Sequence, residues 1–447
     1  MTFPFRFDTS DLTAPPLPKA ADVVVIGGGI IGVSAALDLA DRGVSVTLLE
    51  KGRIAGEQSS RNWGWIRVQG RDLSEVPIAL DAQRQWQDLD ARTGHKLGLS
   101  QTGTLYLAHD ASGLDRFSRW IEDAQTFQVS SHLLSAEKLC AHIPAAARRW
   151  AGALYTPTDF RAEPWRAVPM LAQLAQDAGA SVIEGCAVRA LDLEGGKITG
   201  VLTERGRIAT SSVILAGGAW SSLMLRRHGI DIPQLSVRAT VAATEPLPDV
   251  HDGGAVDDHL AWRRRDDGGY TLAPSGFHEL YVGPDAFRAL RRFAPQLWQD
   301  PLGTKLFPAA PRGFPDAWST SRKWDADRRS PFEAMRILNP SPNMAKVSQI
   351  ARQFGQTFPG AGPVRIKQAW AGMIDTMPDV VPVVDRAPSL PGLTICTGMC
   401  GHGFGIGPAF GRIAAALATH RDFGHDLDRF RISRFSDGTK LQLGPNL

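Results

Sequence analysis

The chain has 447 residues, 43% of them hydrophobic and 21% charged, with a formal net charge of +3. That balance excludes a disordered or fibrous polymer, and so small a charge leaves no nucleic-acid footprint. The length exceeds what a single core usually serves, so two joined domains are expected.

Residues 1–20, with Pro4, Pro15, Pro16 and Pro18, lack a basic start followed by an apolar run and read as a short extended tail rather than a signal peptide. The run Asp22-Val23-Val24-Val25-Ile26 reads as a strand, and Gly27-Gly28-Gly29-Ile30-Ile31-Gly32 as a glycine turn into a helix over 30–41. Gly43 stops that helix, and a second strand over 44–49 ends at Glu50. Each type has a physical task. Gly27 permits the tight turn, Gly29 lets backbone approach a pyrophosphate, and Gly32 lets helix and strand pack closely. The helix start at Ile30 and Ile31 offers free N–H groups and a partial positive charge to phosphates. Glu50 can accept hydrogen bonds from both ribose hydroxyls and disfavours a 2′-phosphate, so the ligand is NAD or FAD rather than NADP. The segment 23–40 is apolar, but its glycines and Asp38 argue against a membrane span. Peripheral contact with the inner face of a membrane stays open.

A loop over 51–70, rich in Trp, Arg and Gly, precedes helices over 72–92 and 114–127. The second shows Leu114, Phe117, Trp120, Ile121, Ala124 and Phe127 on one face. A helix over 162–179 leads to a strand at 180–183. Short strands at 186–193, 198–204 and 207–216 then form a β-meander ending at Gly217. A meander inserted in a dinucleotide unit is the layout of FAD domains, and Val188 is placed to offer its backbone to adenine. Residues 233–363 mix strands (235–243, 269–272, 279–282) with helices over 285–297 and 343–358. The latter has Met344, Val347, Ile350, Ala351 and Phe354 on one side. The run Arg263-Arg264-Arg265, followed by Asp266-Asp267, reads as a solvated turn. The chain then returns to the first unit through 366–372 and a strand at 393–396. Gly401 to Gly407 precede a helix over 408–419 with Pro408 in its first turn.

The fold class is therefore α/β: a Rossmann-type FAD-binding domain with a parallel sheet and inserted β-meander, plus a mixed α+β substrate domain. The expected division assigns 21–75, 160–232 and 364–430 to the former, 76–159 and 233–363 to the latter, and 431–447 to a C-terminal tail. Cys140, Cys186, Cys396 and Cys400 are scattered, and no His/Cys cluster has metal spacing, so no metal is expected and a reducing cytoplasm is inferred. The second glycine cluster suits the N1–C2=O edge of an isoalloxazine, where a helix start stabilises the charge of the reduced ring.

Together these motifs make the sequence resemble the D-amino-acid-oxidase-type family of FAD-dependent oxidoreductases, with glycine oxidase, D-amino-acid dehydrogenases and sarcosine oxidase as relatives. The resemblance rests on Gly27 to Gly32 with Glu50, Ser59-Ser60-Arg61-Asn62-Trp63-Gly64, and Ala216-Gly217-Gly218-Ala219-Trp220. Thr376-Met377-Pro378-Asp379 with Pro382, and Gly401-His402-Gly403-Phe404, complete it. It implies that Ser59, Ser60, Asn62 and Gly64 line the ribityl chain and ring edge, and that Val188 and Gly217 complete the adenine end. Gly403, Gly405 and Ile406 are implied on the pyrimidine side. Lys51, Arg61, Trp63, Trp220, Gly372, Gly401 and Phe404, in or beside these motifs, fill out the candidate cofactor set. The segment before Pro378-Asp379 carries neither the Arg of the D-amino-acid and glycine oxidases nor the Cys of covalent relatives, so non-covalent FAD is expected. Gly405 stands where sarcosine-oxidase relatives have a Lys.

Arg67, in Trp65-Ile66-Arg67, aligns with an Arg that grips substrate carboxylate in the sarcosine-oxidase branch; a surface or flavin-phosphate role is the alternative. Trp63 and Trp65 either wall the substrate cavity or simply pack. His402 touches substrate or flavin C4=O, or fixes its loop. Asp375 holds a substrate ammonium or caps a turn, and Arg238 faces the cavity or ties the domains. Arg263 and Arg312 are expected at the surface. The expected reaction is oxidation of the C–N bond of an amino acid or amine by hydride transfer to flavin N5, giving an imine that hydrolyses. Oxygen, a quinone or an electron-transfer partner reoxidises the flavin. The alternatives are a secondary-amine, N-methyl amino acid or polyamine oxidase, and a non-catalytic FAD-stabilised subunit of a larger complex.

Overall fold

A computed structural model describes Phe5, Leu12 and residues 15–299 and 303–444. Most of the expected tail 1–20, and residues 445–447 of the expected tail 431–447, lie outside the described residues.

Val23–Ile26 is a β-branched run, buried through its first three residues, as suits an interior strand. Among the described residues it sits inside a six-stranded sheet. The order is Val383–Arg386, Leu393–Thr397, Val213–Leu215, Val23–Ile26, Val46–Leu49, Ser181–Ile183. Neighbours are parallel except the outer antiparallel pair at 383–397. The helix Ile30–Asp41 follows the first strand with the expected bounds. At Gly27 φ is +112°, and a Cβ there would lie 2.3 Å from the Ala216 carbonyl oxygen; at Gly32 it would lie 1.9 Å from the Gly27 oxygen. Only glycine lets the helix start this close to the carboxyl ends of the strands, where open α/β sheets bind ligands.

The meander Val188–Glu194, Lys197–Thr203, Gly206–Ala209 forms its own three-stranded sheet. The strand expected over 207–216 is two. The chain turns at Thr210, whose hydroxyl lies 3.1 Å from the Asp22 carbonyl and accepts from the Ser212 N–H at 3.2 Å. Val213–Leu215 thereby joins the parallel sheet.

The second sheet has ten strands among the described residues, with Leu235–Thr244 near its middle and Thr104–Ala108 and Gly152–Thr156 toward one edge. Ile366–Thr376 pairs antiparallel along nearly all of Leu235–Thr244. The segment expected to lead the chain back to the first unit thus belongs to this larger sheet. Pro378, with no N–H to give a ladder, follows its end, and the chain re-enters the parallel sheet at Val383–Arg386.

Other differences are local. The loop over 51–70 contains a helical turn, Gln58–Arg61, and a short strand, Trp65–Ile66, paired with Phe160–Arg161. The helix expected from 72 starts at Val76 with Pro77 in its first turn. Met344 is 58% exposed while Val347, Ile350 and Phe354 are buried, because a side chain at the first helical position leans back past the helix end. Arg263 is not on a solvated turn. It lies in the strand Leu260–Arg264 with its side chain fully buried on Glu163.

Candidate active site

A single cavity of about 1290 Å³ is lined by both sheets. That exceeds the roughly 300–1,000 Å³ of ordinary small-molecule sites, leaving room for a dinucleotide and a substrate together.

One end is built by Gly27, Gly29, Ile30, Ile31, Glu50, Lys51, Val188, Gly217 and Trp220. The Glu50 carboxylate accepts from the Gly28 and Gly52 N–H groups, each at 2.7 Å. Burial pushes its carboxyl above the ordinary range, against the pull of Lys51 and those two donors. The Ile30 N–H at the helix start donates to Ser59 Oγ at 2.9 Å. Lys51 and Trp220 meet on Glu57: Nζ at 2.6 Å, the indole N–H at 3.1 Å, with the Leu338 N–H at 3.0 Å. No sequence signal pointed to Glu57, since two of its three partners, Trp220 and Leu338, come from distant segments.

In the middle, Arg61 donates to Asn339 Oδ1 at 2.7 Å and to the Ala371 and Gly56 carbonyls at 2.8 and 3.0 Å. It cross-links the loop to the larger sheet beside Gly372. Asn62 accepts from the Gly64 N–H at 2.8 Å and so shapes its turn. Ser59, Arg61, Asn62, Trp63 and Gly372 line the cavity; Gly32, Ser60, Gly64 and Ile406 stand behind its wall.

The other end is the start of the helix Gly403–Ala418. It begins before Pro408, not at it: the buried glycine run packs as helix against Val76–Arg92, where the Trp86 indole donates to the Gly405 carbonyl at 2.9 Å. Gly403, Phe404 and Gly405 therefore supply the free N–H groups at the cavity edge, next to Gly401 and His402. Burial, then Arg71, lower His402 to about 4, so its imidazole is neutral. Asp375 lines the cavity, but its carboxylate accepts from the Gly398 N–H at 2.8 Å and Gln234 Nε2 at 3.2 Å. These bonds, both on Oδ2, tie Asp375 to the start of the 398–402 loop, as the turn-fixing alternative expects. Gln234, unforeseen from the sequence, also donates to the Gly218 carbonyl at 3.1 Å.

Between the two ends, Trp63 and Trp65 meet edge to face at 5.2 Å. The Arg67 guanidinium sits 5.4 Å from the Tyr106 ring and donates to the Gln69 carbonyl. Among the described residues no carboxylate lies within ion-pairing distance of Arg67. Arg238 is different: it pairs with Glu279 at 2.8 Å and donates to the Ser341 carbonyl, tying segments together away from the cavity. Arg263 donates to the Trp63 carbonyl from beneath and pairs with Glu163. Asp159 accepts from the Val68 N–H at 2.8 Å and Gln83 at 2.9 Å, and burial raises it to about 6. Cys396 and Cys400 reach the cavity, yet burial pushes both thiols up, and Cys400 Sγ accepts from the Met377 N–H at 3.3 Å.

The residues present fit FAD. A half-buried acid with lone pairs to share faces a helix start, and Gly29 leaves open the space that a Cβ would take 3.0 Å from Ser59 Oγ. A second helix start stands at the far end. Known proteins agree. The family model described as DAO, FAD dependent oxidoreductase, matches residues 22–417. The structure of an L-amino acid deaminase from Proteus myxofaciens, in complex with anthranilate, superposes with a TM-score of 0.90 at 29% identity, covering 95% of each chain. Glycine oxidase of Geobacillus kaustophilus is 24% identical over 427 residues, 92% of this chain and 97% of that one. Mitochondrial sarcosine dehydrogenase of Homo sapiens is 30% identical over 280 residues, 59% of this chain but only 30% of its own length. The chain thus spans less than a third of that larger relative.

Proposed function

The chain belongs to the DAO family of FAD dependent oxidoreductases, and from that premise we propose that it oxidises the C–N bond of an amino acid or related amine. The product is an imine, which water hydrolyses to a carbonyl compound and an amine. FAD, when bound, supplies the two-electron acceptor that takes the α-hydrogen with its electron pair as hydride, while the nitrogen lone pair completes the C=N bond.

The observation that carries this reading is the continuity of one cavity from Glu50 to the helix start at Gly403, with Arg67 and the tryptophans between. Arg67 pairs with the substrate carboxylate and so orients the carbon bearing nitrogen. Trp63, Trp65 and Tyr106 exclude water and present ring faces to the amine. The N–H groups of Gly403, Phe404 and Gly405 stabilise negative charge at their end of the cavity. The thiols of buried Cys396 and half-buried Cys400, both pushed up and so protonated, support non-covalent attachment. A secondary-amine substrate is the second reading, favoured by Gly372 and Ile374 at the wall where oxidases of simple amino acids carry an Arg.

Scattered cysteines support a reducing, cytoplasmic setting. No described helix is long and apolar enough to cross a membrane. Peripheral contact with an anionic membrane, with a quinone as acceptor, is supported by Phe287, Leu290, Trp298, Leu306 and Trp318. They are 62, 53, 85, 60 and 57% exposed, next to exposed Arg291, Lys305 and Arg312. Co-sedimentation with anionic phospholipid vesicles tests it; equal recovery of wild type and Trp298→Ser/Trp318→Ser removes the surface from consideration.

The reaction is tested by adding D- and L-amino acids, N-methyl amino acids and diamines to the purified yellow protein without oxygen. Bleaching by one class is expected. FAD retained but bleached by none assigns the protein to a non-catalytic role.

A further inference from the structure

Arg71, at the cavity wall, and Glu75 lie four residues apart at the Arg67 end of the cavity, with side chains 2% and 1% exposed. The Arg71 Nε–H donates to the Arg67 carbonyl at 3.2 Å, and Nη2 reaches the His402 carbonyl at 3.4 Å. The Trp120 indole holds the Arg71 carbonyl at 2.9 Å. One guanidinium thus fastens the segment carrying Arg67 to the loop that starts the last helix. The Glu75 carboxylate stands 3.8 Å from Arg71 Nη1 and 3.7 Å from His402 Nδ1. These separations exceed hydrogen-bond range, so what Glu75 supplies is charge. Burial alone would raise its carboxyl, but the guanidinium charges of Arg71 and Arg67 pull it the other way. Arg67, on the cavity side, has no such partner, and the nearby Asp159 is engaged by Val68 and Gln83.

We infer that Glu75 is a charge-compensating positioning residue: by neutralising Arg71 it leaves Arg67 as the unpaired guanidinium at this wall. It thereby sets a preference for ligands with one carboxylate over ligands with two. The inference rests on Arg67 being the carboxylate anchor proposed above. Removing the Glu75 charge leaves two guanidinium groups behind one binding position, which favours a dianion.

The test is calorimetric titration of the FAD-loaded protein with benzoate and phthalate, which reads binding without turnover. Wild type binds benzoate more tightly. In Glu75→Gln the ratio of phthalate to benzoate affinity rises about tenfold or more, as one extra buried charge warrants. In Glu75→Gln/Arg71→Met, where both charges are gone, the ratio returns close to that of wild type; a purely structural role would leave the double variant at least as perturbed as the single. An unchanged ratio in Glu75→Gln, or no return in the double variant, overturns the inference. If Glu75→Gln does not retain FAD, Arg71→Met gives the reciprocal test: it weakens phthalate more than benzoate, and equal weakening overturns the inference. Benzoate binding that survives Arg67→Ala sinks the anchor reading instead, whatever the Glu75→Gln ratio.

Discussion

Arg263 grips Glu163 through hydrogen bonds of 2.9 and 3.1 Å, with side chains 0 and 2% exposed and 100 residues between them along the chain. The same guanidinium donates to the Trp63 carbonyl, so this buried ion pair supports the aromatic wall of the candidate cofactor cavity. Glu163 also accepts from the Asp266 N–H at 3.0 Å. The pair therefore joins three segments: the loop at 63–64, the start of the helix Pro164–Asp177, and the strand Leu260–Arg264.

Breaking one side of this pair leaves a buried charge without its partner. Glu163→Gln or Arg263→Met is expected to destabilise the protein by about 3–5 kcal/mol, while replacing both together costs much less. Thermal denaturation of the FAD-loaded protein checks this. A double variant as unstable as the sum of the singles would mean that the two do not act as a pair.

Glu50 accepts from two backbone N–H groups, and we propose that its remaining lone pairs receive the ribose hydroxyls. Glu50→Ala is expected to weaken FAD binding by roughly 10–100-fold, since hydrogen bonds to a charged group contribute about 1.5–3 kcal/mol. Equilibrium dialysis of the apoprotein against FAD measures it. Affinity equal to wild type would place the adenosine elsewhere.

Arg67→Ala is expected to lower kcat/KM for a carboxylate substrate by at least about 30-fold, corresponding to roughly 2–5 kcal/mol for truncating a desolvated charge pair. For an amine without a carboxylate the change should be small. Steady-state kinetics on a matched pair of substrates decides. A similar loss on both would point to a disturbed loop rather than a lost anchor.

His228 Nε2 accepts from the Leu191 N–H at 3.1 Å, and His251 Nδ1 accepts from the Trp262 indole at 3.2 Å. Both rings must be neutral at those nitrogens. Burial lowers each to about 4, from 6.5 when unfolded. The sign follows. Above pH 6.5 neither state binds the proton, and the full stability is present. As pH falls from 6.5 toward 4 the unfolded chain takes up protons that the native state refuses, so stability is lost. Urea denaturation across pH 4–7 should show this decline, with a shallower slope in His228→Asn/His251→Asn. An unaltered slope would assign the acid sensitivity to carboxylates.

Much of the cofactor site was legible along the chain because its logic is local. Gly27, Gly29 and Gly32 act within one turn, and Glu50 ends the adjacent parallel strand, so a single strand–helix–strand segment carries the geometry. The second helix start was legible in composition but not in position. Its bound depends on how the 403–407 glycines pack against Val76–Arg92, which no local pattern reports. Arg263 shows the limit most plainly. Three arginines followed by two aspartates look solvated, yet strand alternation turns the first arginine inward, and only a carboxylate 100 residues away makes that burial tolerable.

By itself the sequence determined the dinucleotide-binding unit and the class of cofactor, and it supplied the candidate residues that line one cavity. These follow from backbone conformation and from spacing within a turn or between adjacent strands. The tertiary structure alone decided which charges are paired: Asp375 with the Gly398 loop, Arg238 with Glu279, Arg71 with Glu75, and Arg67 with no carboxylate. Charge pairing is a property of distance through space, and residues far apart in the chain acquire their distances only when the two sheets close around one cavity.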